Sequence, residues 1–332
     1  MSDEFTYKAA GVDIEEAAAL VGDIGELRRQ TEGKRQLMQS FGLFAASYDL
    51  SDYQEPVIVT GCDGVGTKIE LLLEHNLLEI AGKDLVAINV NDILTTGGDP
   101  LLFLDYVGIG HIEKDKIKRL IGGMSEYLAS CDCILAGGET AEMPGIVPDG
   151  VVELSGFCVG AAEKPELIDP GRIEVGDVLI GYPSDGFHAN GWSLVRKILQ
   201  AHPGLVEGAE LVDLLAPTRL YHDVVAGLRT AAVDIRAMAH ITGGGLPENL
   251  ERLLGEKGCQ LEIPRWDCGA VAKVLAHVDD AEAIRTFNMG WGWVAIVPKA
   301  EASLASQFHE GARVLGHVTE SGGVQVSITA ST

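Results

Sequence analysis

The sequence predicts a two-domain protein of mixed α+β or α/β class, on three observations. Its 332 residues exceed what one hydrophobic core usually organises. An apolar strand that empties into glycines and an acid occurs twice, at 56–68 and again at 133–145. A Pro- and Gly-punctuated stretch, 163–176, then separates two halves of similar strand and helix make-up. The expected domains are 1–165 and 166–332.

Each element follows from local pattern. Asp13-Ile14-Glu15-Glu16 opens a helix in capping-box style, with Ile14, Ala18, Val21, Ile24 and Leu27 at helical spacing. Strand 56–60 leads into the loop 61–68 and a short helix, 67–75. A second helix, 84–96, is stopped by Gly97-Gly98-Asp99-Pro100. Strand 101–107, amphipathic helix 113–129, strand 133–136 and strand 151–161 complete the first half. The second half opens with strand 178–181, a polar loop at 184–191 and helix 192–200. Two more glycine-rich stretches follow, 239–249 and 287–292.

Composition excludes several classes. A formal charge of −24 argues against general nucleic-acid binding, which needs Lys and Arg on phosphates. No apolar run reaches the roughly 18 residues of a membrane span, and the start lacks the basic and apolar regions of a signal peptide. The expectation is a cytoplasmic protein with no membrane or nucleic-acid partner. Cysteines 62, 131, 133, 158, 259 and 268 are scattered without a second close pair, which suits reduced core thiols.

The loop Gly61-Cys62-Asp63-Gly64-Val65-Gly66-Thr67-Lys68 has the makings of a phosphate or metal site. Glycines admit an anion to the backbone, Lys68 supplies positive charge and Asp63 can hold a cation. Its spacing is neither a P-loop nor G-x-G-x-x-G, and an ordinary strand-to-helix turn remains open. Asp92 falls at helical spacing from Leu85 and Ile88, so it is expected to face inward and to need a partner. With Asp63 and Glu139 it makes a candidate Mg²⁺ set held against phosphates; a structural hydrogen bond is the alternative. Thr242-Gly243-Gly244-Gly245-Leu246-Pro247 places glycine N–H groups at a helix start, a ready anion site or a flexible turn. His188 and His240 each adjoin a glycine-containing loop and are candidates for phosphoryl contact or proton transfer. Trp291 and Trp293 read as strand packing.

Taken together, these segments closely resemble the phosphoribosylformylglycinamidine cyclo-ligase (aminoimidazole ribonucleotide synthetase) family. The matching stretches are 7–13, 61–68, 84–100, 103–106, 137–145, 156–160, 176–196, 216–219, 240–249 and 286–290, in family order and nearly end to end. The departures are Cys62 for a usual threonine, Gly98-Asp99 for Ala-Glu, Asp185 for serine, and the bulky Trp291 and Trp293.

The resemblance implies a two-domain α+β fold. Its N-terminal α/β domain binds ATP and dimerises by joining sheets into an intersubunit β-barrel. A C-terminal α+β domain binds substrate, with the nucleotide site in the cleft between the two. It implies a homodimer that uses ATP and Mg²⁺ to convert formylglycinamidine ribonucleotide into aminoimidazole ribonucleotide, ADP and phosphate. The nucleotide would be held by Lys8, Gly61, Asp63, Gly64, Gly66, Thr67, Lys68, Asn91, Gly138 and Thr140. Mg²⁺ would sit on Asp63, Asp92 and Glu139. Substrate would be held by Asn190, Thr242, Gly243, Gly244, Gly245 and Asn288, and His188, His240 and Lys68 would serve the chemistry.

Other readings remain. Selenophosphate synthetases share the layout but carry a reactive Cys or selenocysteine in the N-terminal glycine-rich segment, whereas the first cysteine here is Cys62. Hydrogenase-maturation relatives end in a reactive cysteine, and none follows Cys268 here. Thiamine-phosphate kinases lack the 242–249 motif in this form. A catalytically silent paralogue would be expected to lose an acid or histidine from these loops.

Overall fold

The computed structural model describes residues 14–38 and 44–330. The chain divides into two units, residues up to 93 with 98–165, and residues 94–97 with 166 onward. Asp13 and Lys8 lie outside the described residues.

The first unit runs α1 (Ile14–Arg29), β1 (Pro56–Gly64), α2 (Lys68–Glu74), α3 (Leu78–Thr95), β2 (Asp99–Ile109), α4 (Lys114–Ser130), β3 (Ile134–Glu142) and β4 (Val152–Glu163). Its four strands pair in the order β1-β4-β2-β3, with β2 and β3 parallel and the other pairs antiparallel. A parallel pair needs a long crossover, and α4 supplies it. Helix α3 packs beneath the sheet: a side chain at Gly156 would meet Asn89 and Leu85, and one at Gly160 would meet Ile93. Helices α3 and α4 touch through their backbones. A Cβ on Gly82 would overlap the carbonyl oxygen of Leu120, and one on Gly123 that of Glu79.

The opposite face of the sheet is open, with Ile58 59%, Tyr106 41% and Phe157 40% exposed. Strands β1 and β3 are its edges, so no closed barrel forms among the described residues.

The second unit runs β5 (Val178–Pro183), α5 (Trp192–Ala201), α6 (Gly208–Leu214), α7 (His222–Thr230), β6 (Ala237–His240), α8 (Gly245–Leu254), β7 (Gly258–Pro264), α9 (Gly269–Leu275), α10 (Asp280–Thr286), β8 (Trp291–Val297), α11 (Ala302–Ala305), β9 (Arg313–Thr319) and β10 (Val324–Thr329). Its six strands lie in the order β10-β7-β9-β5-β8-β6. Strand β8 is buried along its whole length, and Trp293 stacks on Tyr221 with ring centroids 5.4 Å apart. Both tryptophans are packing residues, as their alternation with glycine suggested.

Three expectations change. Strand β1 continues through Gly64 and β3 through Glu142, so much of each expected glycine loop is strand. Glycine is needed at Gly138 because the Asp105 carboxylate occupies the space a Cβ would take. Second, Asp92 is exposed, not inward. Residues 84–91 of α3 are buried on every side, so the spacing of Leu85 and Ile88 carries no information about a face. Third, Cys62 and Cys268 are exposed, while the other four cysteines are core thiols and all six are free. Among the described residues no helix is long and apolar enough to cross a membrane.

Candidate functional site

The end of β1 is held from below by one side chain. Asn89 on α3 accepts a hydrogen bond from the Asp63 backbone N–H at 2.9 Å and donates to the Asp63 carbonyl at 3.2 Å. Its amide also donates to Leu85 O at 2.9 Å. Asp63 Oδ1 in turn accepts from Gly64 N at 2.7 Å. Asp92 stands beside Gly61, its Cβ 3.8 Å from where a Gly61 side chain would begin. Gly66 is exposed with φ 66°, and Thr67 precedes α2 without a side-chain cap.

Lys68 is not at the surface of this loop. It is fully enclosed, its Nζ 2.8 Å from Asp84 Oδ2 on α3, and Asp84 is equally enclosed. Burial pushes the ammonium below its ordinary pKa and Asp84 pulls it back up. Ile69 and Leu72 anchor α2 in the core, which draws the neighbouring lysine inward too. Its expected role at phosphates is therefore replaced by a structural ion pair. Asn91 is likewise buried rather than presented to a ligand.

Strand register places Asp63, Gly156, Asp105 and Gly138 in one row across the sheet. Three strand spacings, about 14 Å, separate the two ends. Glu139 follows Gly138 and so points to the other, open face, where it pairs in register with Tyr106. Thr140 beside it is half-buried. Asp63 and Glu139 thus cannot share one ion. Among the described residues no three His, Cys, Asp or Glu side chains converge as a metal-holding group. The donors suit a cation held mainly by phosphate oxygens with one or two carboxylates, as Mg²⁺ is, and do not suit an all-protein cage.

Asp105 is the acid that sequence reasoning missed. Burial, with Glu139 close by, drives its carboxyl up to about 7. Its only sequence signal is an acid at an otherwise apolar strand position in Phe103-Leu104-Asp105-Tyr106.

The second unit gathers the remaining candidates at the ends of β5, β6 and β8. His188 has φ 58° and is fully buried; its Nε2 accepts from Arg219 N at 3.4 Å. This contact ties the 184–191 loop to Arg219. His240 ends β6, 6.5 Å from the His188 ring by centroids. Phe187 stacks on Phe287 at 4.3 Å. Asn288, expected at the substrate, spends its amide internally: Oδ1 accepts from Ser184 Oγ and Gly290 N, and Nδ2 donates to Gly186 O.

Beyond His240, α8 begins at Gly245, with Gly244 left-handed at φ 89°. Gly245 N is already donated to Thr242 O at 3.1 Å, which leaves Gly243 and Gly244 as the N–H groups to consider. Gly243 is exposed, and Asn190 Oδ1 lies 3.8 Å from where its side chain would begin. Asn249, which sequence reasoning left without a role, pins this turn. Its Nδ2 donates to the carbonyls of Thr242, Gly243 and Gly245, and its Oδ1 accepts from Thr242 Oγ1. Asp185 pairs with Arg219, whose guanidinium also contacts His309.

Residues 45–162 match the family described as AIR synthase related protein, N-terminal domain, and 174–329 match its C-terminal domain. A phosphoribosylformylglycinamidine cyclo-ligase of Rippkaea orientalis is 41% identical over 325 residues, 94% of each chain. One of Aromatoleum aromaticum is 44% identical over 318 residues, 92% of this chain and 91% of that one. The chain belongs to the phosphoribosylformylglycinamidine cyclo-ligase family. Solved structures give the fold: thiamine-monophosphate kinase of Stenotrophomonas maltophilia superposes with a TM-score of 0.67 at 17% identity, over 91% of this chain and 94% of that one. Hydrogenase maturation protein HypE in complex with ATP also gives 0.67 at 17% identity, over 95% and 91%. The family therefore has here a two-domain α+β fold shared with those proteins.

Two measurements check the buried charges. Lys68→Ala breaks the buried ion pair with Asp84 and is expected to cost about 3–5 kcal/mol, whereas Lys68→Met with Asp84→Leu should restore most of it. Urea unfolding midpoints decide, and a harmless single variant would refute the pairing. For Asp105 the folded pKa lies above the unfolded one. Its stabilising contribution is therefore fully present below about 3.8 and is lost as pH rises to about 7. Asp105→Asn should raise the unfolding midpoint at pH 8 and hardly change it at pH 4. An equal change at both pH values would contradict the burial.

Proposed function

We propose that this chain closes the imidazole ring of aminoimidazole ribonucleotide, from formylglycinamidine ribonucleotide and ATP, with release of ADP and phosphate. This is the fifth step of de novo purine (IMP) biosynthesis, carried out in the cytoplasm. The observation that carries the reading is the 41% and 44% identity to cyclo-ligases over 94% and 92% of the chain. ATP is further supported by fold relatives solved with ATP or with AMPPCP.

The formamide oxygen is a poor leaving group. Transfer of the γ-phosphoryl group to that oxygen makes it a good one, the amidine nitrogen attacks the carbon, and phosphate departs as the ring closes. Such a reaction needs positioning and charge neutralisation above all. In the first unit the amides of Gly61, Gly66 and Thr67 hold the nucleotide phosphates, together with Lys8, Gly138 and Thr140. Mg²⁺ would neutralise charge on the transferring phosphoryl group; Asp63 with Asp92, or Glu139 on the open face, would supply the carboxylate oxygens. In the second unit Gly243 and Gly244 N–H groups and Asn190 hold the ribose phosphate, and His240 donates to the phosphoryl group or moves a proton.

The open apolar face carrying Ile58, Tyr106 and Phe157 and the free edge of β1 support a homodimer of first domains, their sheets joined as an intersubunit barrel. Light scattering should give a dimer at micromolar concentration; an active monomer would refute the assembly.

ADP should form one for one with the imidazole product, and only when the amidine substrate is present. ADP released equally well with thiamine phosphate or selenide, without imidazole product, would overturn the assignment.

A further inference from the structure

We infer that Asn89 is a positioning residue for the nucleotide site, the amide that fixes where Asp63 and the following N–H groups stand. The inference rests on the proposed reading of that site.

Asp63 stands next to the end of β1, in register with Gly156 of β4, and α3 runs beneath that corner of the sheet. There a side chain of α3 bonds the strand's own polar groups. A primary amide carries the same donor and acceptor as a peptide group, and Asn89 offers both to one residue: Oδ1 to the Asp63 N–H and Nδ2 to the Asp63 carbonyl. The second Nδ2 proton goes to Leu85 O, one turn back on the same helix. With every hydrogen on Asn89 engaged and the side chain fully enclosed, the amide has one orientation. Gly156 on β4 makes room for it, since a Cβ there would stand 2.6 Å from Asn89 Nδ2.

The constraint passes outward. With its backbone fixed at N and O, Asp63 turns Oδ1 to Gly64 N at 2.7 Å. The carboxylate rotamer is thereby set, and Oδ2 is the oxygen left to a cation or a nucleotide-bound water. The chain then enters Gly64-Val65-Gly66-Thr67, whose glycines lend it no stiffness of their own. An apolar residue at 89 would pack as well against Leu85 and Phe103 but would leave Asp63 N–H and C=O without this partner. The amide therefore serves the strand end, not the core.

The test uses the full chain, wild type and Asn89→Ala, with Asn89→Ser as the milder variant should alanine fail to fold. Hydrogen exchange of the 61–66 segment should show Asp63 N–H protected in the wild type and exposed in the variant. Calorimetric titration with MgATP should show affinity weakened about tenfold, the lower end of what loss of such a supporting partner costs. In turnover, KM for ATP should rise by the same factor while KM for the amidine substrate stays put. Equal MgATP affinity in both proteins would overturn the inference, as would a fall in melting temperature and kcat with no separation of the two KM values. Wild type that binds MgATP but makes no imidazole product would instead defeat the cyclo-ligase reading, and the titration would still judge Asn89.

Discussion

Helix α3 is shut off from water on every side between Asp84 and Asn91, and the first unit is arranged around that fact. A helix buried all round should be apolar throughout, yet α3 carries Asp84, Asn89 and Asn91 in its enclosed stretch. A buried polar group must find a partner. Asp84 finds Lys68 on α2, and Asn89 finds both polar groups of Asp63 on β1. The two elements that flank the glycine segment are therefore fastened to the same helix, one by charge and one by an amide. The segment between them, 64–67, inherits its position from α3.

That dependence explains what was legible in the sequence. The strands, the helices and the division near 165 could be read from apolar runs, spacing and Pro/Gly punctuation, because those signals are local. The glycine segments were visible too, but their conformation was not. Gly61 and Gly138 looked like loop formers, whereas they sit in strands beside Asp92 and Asp105; Gly156 lay in an expected strand, but nothing local showed that it makes room for Asn89. A glycine that makes room for a distant side chain carries no mark of it in the neighbouring residues. The same blindness misplaced Lys68: a lysine after glycines reads as a phosphate ligand unless its buried partner sixteen positions on is known.

The candidate site divides along the same line. Gly66 and Gly243, whose candidacy rests on their backbone, stand exposed in turns. Residues named for side-chain chemistry fared differently, because side chains in tight turns are recruited to hold the turn. Asn288 and His188 became internal braces, and Asn249, unassigned, became the pin of the glycine turn before α8. The acids behave similarly. Asp63 and Glu139 are similar in sequence context, each beside glycine at a strand end, yet register places them about three strands apart.

The glycines at 82 and 123 give the first unit an unusual mechanical property. Where two helices pack through side chains, rotamer changes can absorb a small shift of one against the other. Helices α3 and α4 meet backbone to backbone at these positions, with nothing between them that can repack. A displacement of α3 must then carry α4 with it, and the strand that α4 feeds, β3, lies at the far edge of the same sheet. The two edges of the sheet, one held by Asn89 and the other by this crossover helix, are coupled as the ends of a stiff lever.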